Sequence, residues 1–447
     1  MKIETWSAER LSPYVRELKK HEKALPKMVA ALQQWGFRIP ILVSSAGEII
    51  DGKLRYLAAV QLGMQEIPVV VADDLTPTQI RTFRLLVNRS ATWADWNDES
   101  LRIEMAELRL ALADLSVTGF DDRELDAILL DAVASGEKDP DSVPEFREPP
   151  VCQVGQVWQL GMHRLMCGDS TQPADVATLM SGEHADMVWT DPPYNVDYSS
   201  PAGKIKNDKM SPAEFLKFLY DLMNSAYDVL VDGGAIYVAH SEAGDGMAFR
   251  SAFQNVGFKL SCCLIWKKNQ LVMGRGDYHW QHEPILYGWK PTGKHVWYGD
   301  RKQRSFFEHF AGSVVQKVSE NVWQVASGDS ILRISGKDLV VEDLASSILS
   351  EPKPKKSELH PTMKPVALVE RMLANSSPRG GLVVDLCGGS GTTLIAAERL
   401  ARRCNMMEYD PRYADVIIRR WQEQTGRVAV LAGSGAPYPQ EVEHDAE

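Results

Sequence analysis

Val383-Val384-Asp385-Leu386-Cys387-Gly388-Gly389-Ser390-Gly391-Thr392-Thr393 decides the fold. An apolar run reads as a strand, the glycines as a tight loop, and the following residues, to about Arg403, as a helix. Glycines let the backbone approach a ligand, and the helix N-terminus attracts an anionic group. Asn405-Met406-Met407-Glu408 reads as the next strand, ending in an acid 23 positions after Asp385, where a carboxylate can bind ribose hydroxyls. Strand, loop, helix and acid together outweigh a lone glycine turn.

Upstream, Ala185-Asp186-Met187-Val188-Trp189-Thr190 reads as a buried strand delivering Asp191-Pro192-Pro193-Tyr194 to its carboxyl end, where open α/β sheets place ligands. Taken alone, Asp-Pro-Pro would be a stiffened turn. Further strands are expected at 164–169, 235–239, 260–267 and 284–289, with helices at 173–181, 211–230 (opened by Ser211-Pro212) and 243–256, and a small hairpin over 156–163. Strands alternating with helices give an α/β class with a doubly wound, mostly parallel sheet. The loop lacks the Gly-x-Gly-x-x-Gly spacing, which favours S-adenosylmethionine over a dinucleotide.

The chain has 447 residues and a formal net charge of -11, so two or three domains are expected, and the charge argues against indiscriminate polyanion binding by the whole surface. A local basic face is still compatible with nucleic acid. No apolar run is long enough to span a membrane, and the N-terminus has no signal-peptide core. Six cysteines without metal or disulfide spacing point to buried thiols in a reducing, cytoplasmic setting, with no metal site.

Residues 1–135 read as a separate α+β region. Its expected elements are one or two helices in 11–37, strands at 40–43 and 67–71, a helix to Leu62 after Asp51-Gly52, one from Thr76-Pro77, and helices near 98–114 and 121–134. Residues 136–150, rich in Pro, Asp and Glu, read as a linker, and residues from 431 as a disordered acidic tail.

With those residues in view, 39–81 (IPILVSSAGEIIDGKLRYLAAVQLGMQEIPVVVADDLTPTQIR) resembles the ParB/sulfiredoxin-like domain, and 85–98 (LLVNRSATWADWND) its version fused to phage and prophage DNA methylases. The ParB phosphate motif Gly-x-Arg-Arg is here Gly52-Lys53-Leu54-Arg55, without its first arginine, and the sulfiredoxin cysteine is missing. The resemblance implies either nucleotide binding there or an auxiliary DNA-contacting or homodimerising role.

Residues 155–427 resemble the amino-group DNA methyltransferases. Asp191-Pro192-Pro193-Tyr194, then His360-Pro361-Thr362-Met363-Lys364-Pro365, then the glycine loop is the order called the beta class, with Cys387 replacing the usual aromatic. The resemblance implies a seven-stranded Rossmann-like domain over 151–430 that moves a methyl group from S-adenosylmethionine to a flipped base in double-stranded DNA. Adenine N6 is the first reading and cytosine N4 the alternative. A non-catalytic ParB-like DNA-binding or regulatory protein is the rival from another class. Asp191 and the Pro192 carbonyl would accept the amino hydrogens, and Tyr194 would stack on the base. Cofactor contacts would come from Asp169, His360, Thr362, Lys364, Pro365, Asp385, Leu386, Gly388, Gly389, Ser390, Gly391, Thr392, Thr393 and Glu408. Asp169 read alone is equally a helix N-cap.

DNA phosphates are expected at Lys204 and Lys206, with Lys209, in the loop 195–210. A second cluster is Lys290, Lys294, His295, Arg301, Lys302 and Arg304, interleaved with aromatics such as Trp289 and Trp297, and a third is Lys353, Lys355 and Lys356. The stretch 291–357 stands where the resemblance places target recognition.

Overall fold

The computed structural model describes residues 2–15, 19, 21–90, 93–111, 114–130, 138–196, 199–200, 203–204, 208–241, 245–272, 280–299, 314–319, 322–327, 330–335, 348–349 and 363–439. The chain divides into two units, Met1–Ser135 and Gly136–Glu447.

The first unit contains β1 (Ile3–Ser7), α1 (Leu25–Trp35), β2 (Ile41–Ser44), β3 (Ile49–Asp51), α2 (Lys53–Gln61), β4 (Glu66–Ala72), α3 (Pro77–Ser90), α4 (Asp98–Leu110) and α5 (Asp122–Leu129). Its sheet runs β1-β4-β2-β3, with only β2 and β4 parallel. Strand β1 escapes sequence reading because Trp6 alone of its five residues is buried, so no alternation shows. The helix expected from Leu11 begins only at Leu25. Pro13 holds Ser12 extended, and Ser12 bridges to Glu48 at the sheet instead. Gly52 is left-handed (φ 98°) at the start of α2, and a Cβ there would lie 2.9 Å from the Arg55 guanidinium.

The second unit comprises β5 (Val157–Leu160), β6 (His163–Cys167), α6 (Pro173–Met180), β7 (Ala185–Thr190), β8 (Ser199–Ser200), β9 (Gly203–Lys204), α7 (Pro212–Val229), β10 (Leu230–Ala239), α8 (Gly246–Val256), β11 (Lys259–Val272) and β12 (Trp280–Trp289). There follow β13 (Val314–Ser319), β14 (Val322–Ser327), β15 (Ser330–Ser335), β16 (Ile348–Leu349), α9 (Val366–Ser376), β17 (Leu382–Asp385), α10 (Thr392–Arg399), β18 (Arg403–Glu408), α11 (Pro411–Thr425) and β19 (Val430–Leu431). The main sheet runs β16-β11-β12-β10-β7-β17-β18-β6-β5-β19. Its centre, β10-β7-β17-β18-β6, is parallel, and β12 and β11 add antiparallel at one edge. These are seven strands, as expected. Strand β16 and the β5 and β19 edge bring the sheet to ten, because the expected hairpin is β5 with β6 itself. Within 291–357, β13, β14 and β15 form an antiparallel meander.

Helices α6, α7 and α8 cover one face, where Phe215, Leu219, Phe249 and Phe253 share a core with Ile236 and Val238 of β10. Tyr237, between those two, points to the other face and bonds Ser376 of α9 at 2.8 Å. Ser211 and Glu214 close a capping box on α7. Among the described residues, no helix is long and apolar enough to cross a membrane.

Two expectations about the connecting segments change. Residues 138–150 are fastened to the sheet unit rather than free. Arg420 donates to the Pro140 carbonyl (2.7 Å), Arg419 to Glu145 (2.7 Å), Phe146 packs edge-on against Tyr413, and Asp141 accepts the Val366 N–H at the start of α9 (2.8 Å). Residues 431–439 of the expected tail are packed on the sheet unit, with Tyr438 buried edge-on to Trp158. Neither segment has apolar periodicity; each is held by backbone groups and single rings.

Fully buried Asp415 accepts the N–H groups of Val151 (2.7 Å) and Cys152 (2.9 Å). Asp415→Ala strands one buried and one half-buried donor and is expected to cost about 2–4 kcal/mol, read as a lowered denaturant midpoint.

Candidate active site

Parallel pairing brings four acids to the carboxyl ends of neighbouring strands within the sheet. Strand β6 leads through Gly168 to Asp169, β18 ends at Glu408, β17 ends at Asp385, and β7 delivers Asp191. Cys167 is level with Glu408, Met406 with Asp385, and Val384 with Val188. The site forms where adjacent parallel strands end, with the order of connections turning away on either side of β7 and β17.

Around Asp191 the structure builds a network of polar side chains. The Tyr194 hydroxyl donates to Asp191 Oδ1 at 2.6 Å, and Lys364 Nζ donates to Oδ2 at 2.6 Å. Lys364 also reaches the Tyr194 hydroxyl (3.0 Å) and Glu283 Oε2 (3.1 Å), and Lys268 pairs with Glu283 Oε1. Only 3% of Lys364 is exposed. Burial opposes its charge, but Asp191 and Glu283 outweigh burial and leave its pKa raised. Burial likewise opposes the Glu283 carboxylate, and Lys364 and Lys268 outweigh it, leaving that pKa lowered. Burial, then the Asp191 and Glu283 charges, hold the Tyr194 phenol well above its usual pKa, so it is a neutral donor.

The glycine loop is built for close approach. Asp385 Oδ2 accepts Thr393 Oγ1 (2.6 Å) and Oδ1 accepts the Cys387 N–H (3.0 Å). Glu408 Oε2 accepts the Gly389 N–H (2.7 Å) and Oε1 the Asp410 N–H (2.9 Å). A Cβ on Gly388 would lie 2.8 Å from Met406, whereas one on left-handed Gly389 would meet nothing within 4 Å. The loop therefore has a packed underside and an open top. Buried Arg420 donates to the Ser390 carbonyl at 2.8 Å, fixing the underside, and burial lowers its pKa to about 10. Burial pushes Asp385 up to about 8 and Glu408 up to about 7.

The other expected residues divide. Asp169 closes a local turn, accepting the Thr171 N–H (2.9 Å) and hydroxyl (2.7 Å), while Gln172 stands at the N-cap of α6. Leu386 is buried in the core beneath the loop. Pro365 caps α9, and the Thr392 hydroxyl donates to the Lys364 carbonyl (3.3 Å). Lys364, expected beside the cofactor, turns its ammonium to Asp191. His360, Thr362, Lys206, Arg301, Lys302, Arg304, Lys353, Lys355 and Lys356 lie outside the described residues. Lys204 falls in β9, and Lys294 is exposed. Lys290 instead caps the end of α7, donating to the Tyr227 (3.1 Å) and Leu230 (3.0 Å) carbonyls. Trp289 stacks on His295 at 4.3 Å, and Trp297 packs against Tyr287, so these aromatics pack among themselves. Glu283, Lys268 and Arg420 were not anticipated. The one signal for the first two was charge bordering the apolar runs of β11 and β12.

The sequence family described as DNA methylase, N6_N4_Mtase, matches residues 185–419, more than half of the chain, and a family described as ParB-methyltransferase HTH domain matches residues 99–154. The type II methyltransferase M2.DpnII of Streptococcus pneumoniae is 25% identical over 262 residues, covering 55% of this chain and 85% of its own. DNA adenine methyltransferase YhdJ of Escherichia coli K12 is 24% identical over 253 residues, covering 53% and 76%. Among solved structures, the M1.HpyAVI-SAM complex aligns with a TM-score of 0.37 at 20% identity, covering 57% of this chain and 97% of that one.

The raised carboxylates have a consequence for stability. Asp385 and Glu408 have folded values near 8 and 7 against ordinary values of 3.8 and 4.5. Their contribution to stability is full below the ordinary values and is lost as pH rises through 7 and 8. The thermal midpoint of the ligand-free protein is expected to fall between pH 6 and pH 9 (both about one unit outside that span), and Asp385→Asn is expected to flatten that fall.

Proposed function

This chain belongs to the N6/N4 DNA methylase family, and we propose that it methylates the exocyclic N6 of adenine in double-stranded DNA, with S-adenosylmethionine as methyl donor. The observation that carries the reading is the acceptor pair Asp191-Pro192 at the end of β7, one strand from the Asp385 loop on β17. The residues present fit the donor. The top of the loop is open at Gly389, Thr392 opens α10, and two acids suit hydroxyl and cationic groups. Asp385, Gly389 and Glu408 would hold it, and its sulfonium supplies an electrophilic methyl group.

The base amino nitrogen is a weak nucleophile because its lone pair is delocalised into the ring. The Asp191 carboxylate and the Pro192 carbonyl accept its two hydrogens and draw it toward tetrahedral geometry, freeing the lone pair. The proline-stiffened turn fixes both acceptors. Asp191 Oδ1 already holds a neutral hydroxyl donor, that of Tyr194, which shows that this oxygen can accept from an uncharged donor. Tyr194 yields this place when the base enters and offers its ring for stacking. Aspartate before Pro-Pro-Tyr favours adenine, and N4-cytosine is the second reading. Phosphate contacts are assigned to exposed Lys294 and to Lys204, Lys206, Arg301, Lys302 and Arg304.

The test is incubation with mixed-sequence DNA and methyl-labelled S-adenosylmethionine, followed by nucleoside analysis. Label in N6-methyladenosine is expected, and label in N4-methylcytosine would replace adenine by cytosine. Asp191→Ala is expected to lower the rate at least about 10²–10³-fold, as removal of an aligned polar group does. Cofactor binding without transfer to any DNA would overturn the enzymatic reading.

For the first unit, we propose nucleotide-phosphate binding. A cavity of about 380 Å³ is lined by Lys19, His21, Gly52, Lys53, Arg55 and Arg84, among others, at the N-terminus of α2. Arg55 is paired with Asp51 (3.1 Å) and Arg84 with Glu48 (2.5 Å), so an incoming phosphate would compete with these carboxylates. Calorimetric titration of the full chain with nucleoside triphosphates should show binding that Lys53→Ala weakens at least about tenfold, the loss of one charged hydrogen bond. The absence of heat with all four nucleotides would reject it.

A further inference from the structure

We propose that Lys364 is a positioning residue for the acceptor carboxylate. Held between Asp191 and Glu283, its ammonium fixes Asp191 Oδ2 so that Oδ1 is turned to the base. This rests on the methyltransferase reading and assigns to Lys364 a place beside the reacting amino group rather than beside the cofactor.

The geometry separates the two carboxylate oxygens. Oδ2 is taken by a buried cation at 2.6 Å, and Oδ1 by the hydroxyl of Tyr194 at 2.6 Å. Of these two donors, the hydroxyl belongs to the turn that must admit the base. The ammonium belongs to a different segment, held from behind, where the Lys364 carbonyl accepts the Thr392 hydroxyl (3.3 Å) and Pro365 starts α9. Without an anchor, the carboxylate plane turns easily about its broad, roughly two-fold terminal torsion, and neither oxygen is held at a fixed place. With Oδ2 anchored, one oxygen remains for the amino hydrogen.

Glu283 explains how a cation can stay there. Asp191, Lys364, Glu283 and Lys268 alternate in sign, so the row is neutral as a whole. Three of its members come from separate parts of the sheet: the end of β7, strand β12 and strand β11. A buried ammonium facing a single, 25% exposed carboxylate would be poorly compensated, and the second acid supplies the rest. The rings of Tyr194 and Trp266 lie 5.4 and 5.9 Å from the ammonium and add cation–π attraction.

The test uses the full-length chain, with kcat and both KM values measured on DNA that the wild type methylates. Lys364→Met is expected to lower kcat about 10²-fold, the cost of a misplaced reacting group. The calorimetric affinity for S-adenosylmethionine should stay within about threefold, far less than a lost charged contact would cost. Lys364→Ala, which opens a cavity, is expected to regain activity on addition of propylammonium, a response that loss of folding alone would not give. Glu283→Gln serves as a milder second variant, expected to lower kcat about tenfold through a weakened hold on Lys364. A loss confined to cofactor affinity, or unchanged kcat in Lys364→Met, would overturn the positioning role. Wild type that transfers no methyl group to any DNA would instead overturn the function on which it rests.

Discussion

Everything at the site depends on the pairing of β7 with β17. Val383 stands beside Met187 and Val384 beside Val188, across nearly two hundred intervening residues. Parallel neighbours cannot be joined by a tight turn, so each strand sends its chain back through a crossover before the next begins. The intervening chain supplies α7, β10, α8, β11, β12 and the meander, and returns through Lys364 to α9. One backbone register thereby sets Asp191 next to Asp385, and with them the place where a base and a methyl donor could meet. The strands themselves are mostly apolar and buried, as parallel strands covered on both faces must be.

Much of this was legible in the sequence because the relevant signals are local. A strand followed by glycines and a capped helix needs no partner to be recognised, and Ser211-Pro212 or Thr76-Pro77 announce a helix from their own chemistry. The order of Asp191, Lys364 and Asp385 along the chain also agreed with the family to which the chain belongs. What stayed hidden needs three dimensions. Glu283 and Lys268 are charges within neighbouring strands, and their meaning comes from Lys364, eighty or more residues on. Lys290 looked like a phosphate ligand because basic residues cluster near it, yet its length and position let it cap α7. Strand β1 hid for the opposite reason, having almost nothing buried.

The two halves of the site use burial differently. Around the glycine loop, Asp385 and Glu408 are shielded by neighbouring strands with only neutral donors as partners, so burial dominates and they resist ionising. Around Asp191, carboxylates are interleaved with ammonium groups, and charge dominates over burial for both Glu283 and Lys364. The first arrangement suits a pocket whose charge is completed by an arriving cation. The second suits a fixed acceptor that is ready before its substrate arrives.

Residues 139–141 give the sheet unit an unexpected beginning. The Pro140 carbonyl and the Ser390 carbonyl share one guanidinium, that of Arg420, and Asp141 closes the first turn of α9 directly after Lys364. The stretch that looks like a tether is thus a strut under both halves of the site. A fragment cut at 151, where the first strand approaches, would keep Asp191, Lys364 and the glycine loop and lose the support beneath them. The folding unit starts upstream of its own sheet, and tension on the chain there would be felt first by the glycine loop and by Lys364.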